Sequence, residues 1–187
     1  SDTSKPLPLY LGITGDNKSL VLQSLVADIQ AHGNRLTTGD VGNRYLFQTL
    51  AQNGMNNLLY TMLNHYETPG YGFQLRHGAT TLTEQWDPRQ GASWNHFMMG
   101  QIDEWFFRTL AGIDNYPGTH GMRHLLINPT LVGDMEQVKA TVGTLYGPVS
   151  IHRTTTGLTV ELPVGTEATV VLPDGRQQTV GSGKHTF

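Results

Sequence analysis

The spacing of apolar residues divides the chain into a first part with helical periodicity and a second part with strand periodicity. Four stretches in the first part place apolar residues three and four positions apart. This spacing predicts amphipathic helices over residues 17–31, 45–50, 55–66 and 95–110. A glycine or a Pro-Gly pair follows each stretch, as expected where a helix ends.

After Asp114 the apolar period shortens toward two. Alternation is clearest over residues 156–163 and 167–173, which predicts strands of a half-buried sheet. Residues 173–175, Pro-Asp-Gly, then predict a hairpin turn because Asp and Gly tolerate the positive φ values of such turns. A Pro/Gly-rich link at 116–121 separates the strands from the helices. The sequence therefore predicts an α+β protein in two regions.

Composition narrows the class of protein. Hydrophobic residues make up 37% of the 187 positions, which is ordinary for a chain that buries a core. The formal charge of −3 comes without a cluster of Lys and Arg, so nucleic acid is not an expected partner. No apolar run is long enough to span a membrane, and the absence of cysteine leaves the redox compartment undetermined.

The interval between the third and fourth predicted helices, 71–87, is a predicted loop dense in aromatic, amide and ionisable residues. Connections of this length are usually functional or disordered, and its apolar side chains favour an anchored, functional loop. Sugar sites combine flat apolar faces with amides and with one or two carboxylates. Glu84, Asp87 and Trp86 offer these groups, and His96 follows at the head of the next helix.

Each of these residues also has a structural interpretation. Glu84 could cap a helix or pair with Arg76 or Arg89, and Asp87, which precedes a proline, is more typical of a turn. His96 could equally cap or pack. Three further aromatic residues are predicted to lie in the core, and these are Trp94, Trp105 and Phe106.

Other kinds of site are poorly represented. The eight histidines do not occur at metal-ligand spacing with a nearby acid. The closest pair, His120 and His124, lies at the end of the Pro/Gly link and just after it, without an adjacent carboxylate. We therefore predict no metal and no cofactor. Nucleophile-elbow and phosphate-loop motifs are also missing from the sequence, and glycoside chemistry remains.

Several segments, taken in order and spacing, resemble the bacterial α-L-rhamnosidase family. They are Thr37-Thr38-Gly39, Gly78-Ala79-Thr80-Thr81 with Glu84-Gln85-Trp86-Asp87, Ser93-Trp94-Asn95-His96, and Glu104-Trp105 through Ala111-Gly112-Ile113. The resemblance implies an (α/α)6 barrel of helical hairpins followed by an antiparallel β-sandwich. Residues 1–115 would be the last hairpins of that barrel, residues 116–187 the sandwich, and the remainder of the barrel would lie upstream.

The resemblance also implies roles for the candidate residues. Glu84 would be the general base of an inverting hydrolysis that removes terminal α-L-rhamnose, His96 would line the sugar pocket, and Trp86 would help to shape it. The family's general acid lies upstream, so the isolated chain is expected to be inactive. Thr83 and Gln85 stand where the family commonly has Trp and Arg, which affects the expected substrate preference more than the identity of the base.

Two other functions stay open at this stage. One is a non-catalytic carbohydrate-binding or scaffold module in which Glu84 only binds hydroxyl groups, and the other is an (α/α)6 glycosidase for a different sugar. Both share the expected partner, a carbohydrate, with neither nucleic acid nor membrane. The compartment is unknown, with the periplasm or the cell exterior favoured over the cytoplasm.

Overall fold

The computed structural model describes residues 4–187. They form two compact units that divide between residues 102 and 103, the first helical and the second built mainly of β-strands. This order confirms the predicted fold class of helical hairpins followed by a β-sandwich. The predicted domain boundary at residues 115 and 116 stays a prediction.

The helical elements are short and vary in type. The α-helices are α1 (Pro6–Tyr10), α2 (Lys18–Ala31), α3 (Asp40–Gln52), α4 (Asn56–Leu63), α5 (Tyr71–Arg76) and α6 (Ile102–Trp105). The other helical turns are 3-10 helices at Gly15–Asn17, Pro88–Gln90 and Phe97–Gln101 and a π-helix at Phe106–Leu110. Within the first unit α3 is central, because it packs against α1, α4 and the 3-10 helix Phe97–Gln101.

Two helical predictions differ from the structure. The single helix predicted over 95–110 is three successive helical pieces, and its Phe97 is 85% exposed. The predicted loop over 71–87 begins with α5, which is too short to show a helical period. Gly72 lets α5 pack closely, because a Cβ atom there would lie 2.5 Å from the carbonyl oxygen of His65.

The second unit contains two four-stranded sheets. The strands are β1 (Ile113–Asn115), β2 (His124–Ile127), β3 (Gln137–Thr144), β4 (Gly147–Thr154), β5 (Leu158–Leu162), β6 (Glu167–Val171), β7 (Gln177–Val180) and β8 (Gly183–Thr186). One sheet has the order β1-β2-β6-β7 and the other β3-β4-β5-β8. All pairs are antiparallel except β2 with β6, which are parallel.

The core of the second unit is formed by apolar side chains from both sheets. Along β5, Leu158, Val160 and Leu162 are buried while Glu161 is exposed, which confirms the predicted alternation. The predicted turn at residues 173–175 joins β6 to β7, and Gly175 adopts a φ of 82°. Along β6, in contrast, Ala168, Thr169 and Val170 are buried in succession, so the half-buried alternation predicted over 167–173 is wrong there.

Candidate active site

Glu84 and His96 lie on neighbouring chain segments of the first unit. The backbone N–H of Glu84 donates to the carbonyl oxygen of Ser93 at 2.9 Å. The backbone N–H of His96 donates to the carbonyl oxygen of Leu82 at 2.8 Å. These bonds hold the two candidate residues side by side although neither segment is a regular strand.

The Glu84 carboxylate faces the His96 ring. Its Oε2 atom lies 3.9 Å from His96 Nδ1 and accepts a hydrogen bond from the Ser93 N–H at 3.3 Å. The Glu84 side chain is 42% exposed. The two arginines considered as partners for Glu84 have other carboxylates, because Arg76 pairs with Glu67 and Arg89 pairs with Asp87. Glu84 is therefore accessible to solvent beside a histidine.

The other side of the His96 ring meets Asp40, the first residue of α3. His96 Nε2 lies 3.1 Å from Asp40 Oδ2, and Asp40 Oδ1 accepts the Val41 N–H at 2.9 Å. The bond from His96, followed by the bond from Val41, holds the pKa of Asp40 below its usual value. The Gln101 side chain also donates to the Asp40 carbonyl oxygen, at 2.8 Å. His96 thus lies between two carboxylates.

Trp86 ties the segment after Glu84 to the start of α3. Its indole N–H donates to the carbonyl oxygen of Thr38 at 2.8 Å, and its ring meets the Tyr71 ring edge to face at 4.9 Å. The Thr38 hydroxyl donates to Asn43 Oδ1 at 2.5 Å, while the Tyr71 hydroxyl donates to the Met99 carbonyl oxygen at 2.5 Å. Trp86 therefore belongs to a network that connects the segments around Thr38, Tyr71 and Met99.

Gln74 holds the chain on both sides of Glu84. Its side chain is nearly completely buried, and its Nε2 atom donates to the carbonyl oxygens of Thr83 and Gln85 at 3.3 Å and 3.1 Å. The Thr83 hydroxyl adds a bond of 2.8 Å to the Gln85 carbonyl oxygen. These contacts fix the backbone that carries the Glu84 carboxylate.

The structure shows the role of Asp87, the other carboxylate of the predicted loop. Asp87 is a turn former as predicted, because its side chain caps the 3-10 helix Pro88–Gln90 and pairs with Arg89.

Of the three aromatic residues predicted to lie in the core, Trp105 is buried at 1% exposure, in agreement with that prediction. Trp94 and Phe106 are 63% and 43% exposed, so their predicted core placement is wrong. Trp94 lies on a segment between Gly91 and Phe97 without regular secondary structure, where no helix or strand face buries it.

A small pocket of about 110 Å³ lies next to these segments, between Ala79, Thr81, Arg89 and Trp94. Ligand pockets usually enclose about 300–1,000 Å³, so this one is too small to enclose a sugar.

Among residues 4–187, no three His, Asp or Glu side chains are close enough to hold a metal ion. In the same range, no helix combines the length and apolar character needed to cross a membrane.

Sequence reasoning missed Asp40 and Gln74. Asp40 directly follows the Thr37-Thr38-Gly39 motif, so its place at a helix start beside that motif was an available signal. Gln74 carried no such signal, because its role depends on burial under a loop.

Two family models match the chain end to end. The bacterial alpha-L-rhamnosidase 6 hairpin glycosidase domain matches residues 1–110, and the bacterial alpha-L-rhamnosidase C-terminal domain matches residues 112–187. The chain belongs to the bacterial α-L-rhamnosidase family. Glu84, Trp86, His96 and Asp40 all lie within the six-hairpin match, and the suspected resemblance is confirmed.

Curated relatives and solved structures agree with the family. The chain is 32% identical to an α-L-rhamnosidase of Streptomyces avermitilis over 87% of its length and 29% identical to one of Formosa agariphila over its whole length. These alignments cover only 19% and 21% of the two relatives. The chain therefore spans about a fifth of the length of the curated relatives that it matches.

Two solved structures are similar over the whole chain. The α-L-rhamnosidase of Dictyoglumus thermophilum matches with a TM-score of 0.92 and 31% identity, covering 25% of that protein. The Streptomyces avermitilis enzyme complexed with L-rhamnose matches with a TM-score of 0.90 and 30% identity, covering 21% of that protein.

Proposed function

We propose that this chain is part of a glycoside hydrolase that removes terminal α-L-rhamnose by an inverting mechanism, with Glu84 as general base. The main supporting observation is the Glu84 carboxylate itself, which is 42% exposed and lies 3.9 Å from His96 Nδ1. Membership of the α-L-rhamnosidase family and a relative complexed with L-rhamnose support the choice of sugar. The proposal concerns the whole protein, because the chain matches only part of each relative.

In the proposed reaction, Glu84 takes a proton from a water molecule as the water oxygen bonds to the anomeric carbon. The bond from that carbon to the leaving oxygen breaks, and a carboxylic acid protonates the leaving oxygen. We propose that this acid is supplied by barrel residues outside the present chain. Inversion requires about 6.5–9.5 Å between the two carboxyl groups so that the water fits.

His96 and Trp86 would act on the sugar side of this site. We propose that His96 binds substrate or the attacking water, because its ring lies against the Glu84 carboxylate. Trp86 is half-buried and bonded to Thr38, so we propose that it shapes the wall of the sugar site.

The test uses the full-length protein that carries this chain and an aryl α-L-rhamnoside. Glu84→Gln keeps the size of the side chain and removes the base, so we expect kcat to fall by about 10²- to 10⁴-fold. Proton NMR of the first sugar product should show the β anomer, because inversion changes the configuration once. Glu67→Gln is the matched control, since Glu67 is 79% exposed and pairs with Arg76.

Four outcomes would contradict the proposal. Full activity of Glu84→Gln would exclude Glu84 as the base, and the α anomer as first product would exclude inversion. Binding of rhamnose without hydrolysis of any aryl glycoside would indicate the non-catalytic module. Hydrolysis of another aryl glycoside in preference to the rhamnoside would identify a different sugar.

A further inference from the structure

We propose that Asp40 sets the tautomer of His96, so that His96 Nδ1 and Glu84 Oε2 together hold the water molecule that attacks the sugar. Asp40 is a positioning residue in this arrangement, since it acts through His96. The inference rests on the proposed role of Glu84 as general base.

The first step is the bond between His96 and Asp40. An ionised carboxylate can only accept hydrogen bonds, so at 3.1 Å the Nε2 atom of His96 must donate to Asp40 Oδ2. The lowered pKa of Asp40 agrees with an ionised acceptor. A neutral imidazole that carries its proton on Nε2 has a lone pair on Nδ1. In the proposed arrangement the His96 ring carries its proton on Nε2 alone and turns the Nδ1 lone pair toward Glu84.

The second step is the gap between His96 Nδ1 and Glu84 Oε2. These atoms are 3.9 Å apart, which is too long for a direct hydrogen bond. In the proposed tautomer both atoms are acceptors. For a water oxygen about 2.8 Å from both atoms, the angle Nδ1–O–Oε2 is about 90°. This is near the angle between the two O–H bonds of water. One water molecule can therefore donate one proton to each residue.

The third step is the chemistry of that water. With both protons donated, its lone pairs are free to attack the anomeric carbon. As the new C–O bond forms, one proton passes to Glu84, and the other stays on the new sugar hydroxyl and keeps its bond to His96. The leaving oxygen departs with the electron pair of the broken bond and takes the proton of the general acid.

The structure suggests a precise perturbation, Asp40→Asn. Val41 donates its N–H to Asp40 Oδ1, so the amide introduced by this substitution would keep its oxygen there and turn its NH₂ group toward His96 Nε2. His96 Nε2 must then accept, which moves the ring proton to Nδ1. A protonated Nδ1 cannot accept from the water. We expect kcat of the full-length enzyme to fall about 10- to 100-fold, with KM changed by less than about twofold.

A double-mutant cycle separates positioning from a structural role. His96→Asn removes the ring, so Asp40→Asn should lower kcat by less than about twofold in that background. An equal loss in both backgrounds would overturn the proposal. Asp16→Asn, at an exposed carboxylate before α2, is the matched control and should leave kcat unchanged.

A second measurement does not depend on the folding of any Asp40 variant. Solid-state NMR of the enzyme labelled with ¹⁵N-histidine reports which ring nitrogen is protonated, and the His96 signals are those lost in His96→Asn. We expect a proton on Nε2 alone. A proton on Nδ1, or on both nitrogens, would overturn the proposal. If Glu84→Gln is inactive while Asp40→Asn is fully active, this inference fails and the proposed function stands.

Discussion

The indole N–H of Trp86 donates to the carbonyl oxygen of Thr38 at 2.8 Å, across 48 positions of sequence. Thr38 is 1% exposed, and its hydroxyl is itself bonded to Asn43 on α3. The bond therefore connects the segment that carries Glu84 to the segment that leads into Asp40. Two sequence motifs that are far apart in the chain form one piece of structure through this contact.

Replacing Trp86 by Phe tests how much this hydrogen bond contributes to stability. Phe keeps an aromatic ring but has no N–H, so the Thr38 carbonyl oxygen loses its donor. We expect the free energy of unfolding of the chain to fall by about 1–3 kcal/mol, measured by urea denaturation. Trp94→Phe is the matched control, because Trp94 is 63% exposed and should change stability by less than about 0.5 kcal/mol. Equal effects of the two substitutions would contradict this account.

Gln74→Leu tests the support of the backbone around Glu84. Leu has a similar volume but cannot donate to the carbonyl oxygens of Thr83 and Gln85. We expect a loss of about 1–3 kcal/mol in the free energy of unfolding, because a buried acceptor loses its partner. In the full-length enzyme kcat should also fall, since the Glu84 carboxylate is less well positioned. Gln30→Leu, on the exposed side of α2, should change neither quantity.

The order of helices and strands could be predicted because burial repeats along each element. Leu158, Val160 and Leu162 alternate with polar residues, and a strand with one buried face requires that pattern. The turn at residues 173–175 was equally local, because it depends on the φ values that Asp and Gly tolerate. Such features are set by residues near in sequence.

The arrangement of the site could not be predicted in the same way. Asp40 and His96 are 56 positions apart, and only the packing of the first unit brings them to 3.1 Å. Tryptophan is usually buried, which predicts a core position for Trp94, but its segment has no regular structure and leaves it exposed. The resemblance to a family implies the role of general base for Glu84, whereas only the structure shows the contacts that position its carboxylate.

Gly112→Ala should be severely destabilising. Gly112 has a φ of 64°, and a Cβ atom there would lie 2.1 Å from the carbonyl carbon of Asn128 and 2.2 Å from the nitrogen of Pro129. Both atoms belong to the backbone, so they cannot move aside cheaply. We expect a loss of more than about 3 kcal/mol in the free energy of unfolding, measured by urea denaturation.

Gly118→Ala separates backbone strain from the close approach at Gly112. Gly118 has a φ of 79°, and a Cβ atom there would meet nothing within 4 Å. Only the cost of a left-handed conformation remains, so we expect about 1–2 kcal/mol. If the two alanine variants were equally stable, the close approach of a Cβ atom at residue 112 to Asn128 and Pro129 would cost no free energy, and this account would be wrong.

Arg89→Ala should raise the pKa of Asp87. The Arg89 side chain donates to both carboxylate oxygens and is the largest cause of the low pKa of Asp87, which is about 2 against an ordinary 3.8. Because folding lowers this pKa, the stabilisation is present above the ordinary value and is lost as the pH falls toward 2. Carbon-13 NMR titration of the carboxyl groups should show the Asp87 midpoint move most of the way to its ordinary value.

The Asp-x-Arg sequence at Asp174 and Arg176 is a matched comparison with a different expected result. There the backbone N–H of Arg176 is the largest cause of the lowered pKa of Asp174, followed by the side chain. Arg176→Ala keeps that N–H, so the pKa of Asp174 should stay below its usual value. A complete return of the Asp174 midpoint to the ordinary range would show that the side chain dominates at both sites and would contradict the distinction. The distinction would also be contradicted if the Asp87 midpoint stayed near 2 in Arg89→Ala. The backbone N–H of residue 89 alone would then keep the pKa of Asp87 low.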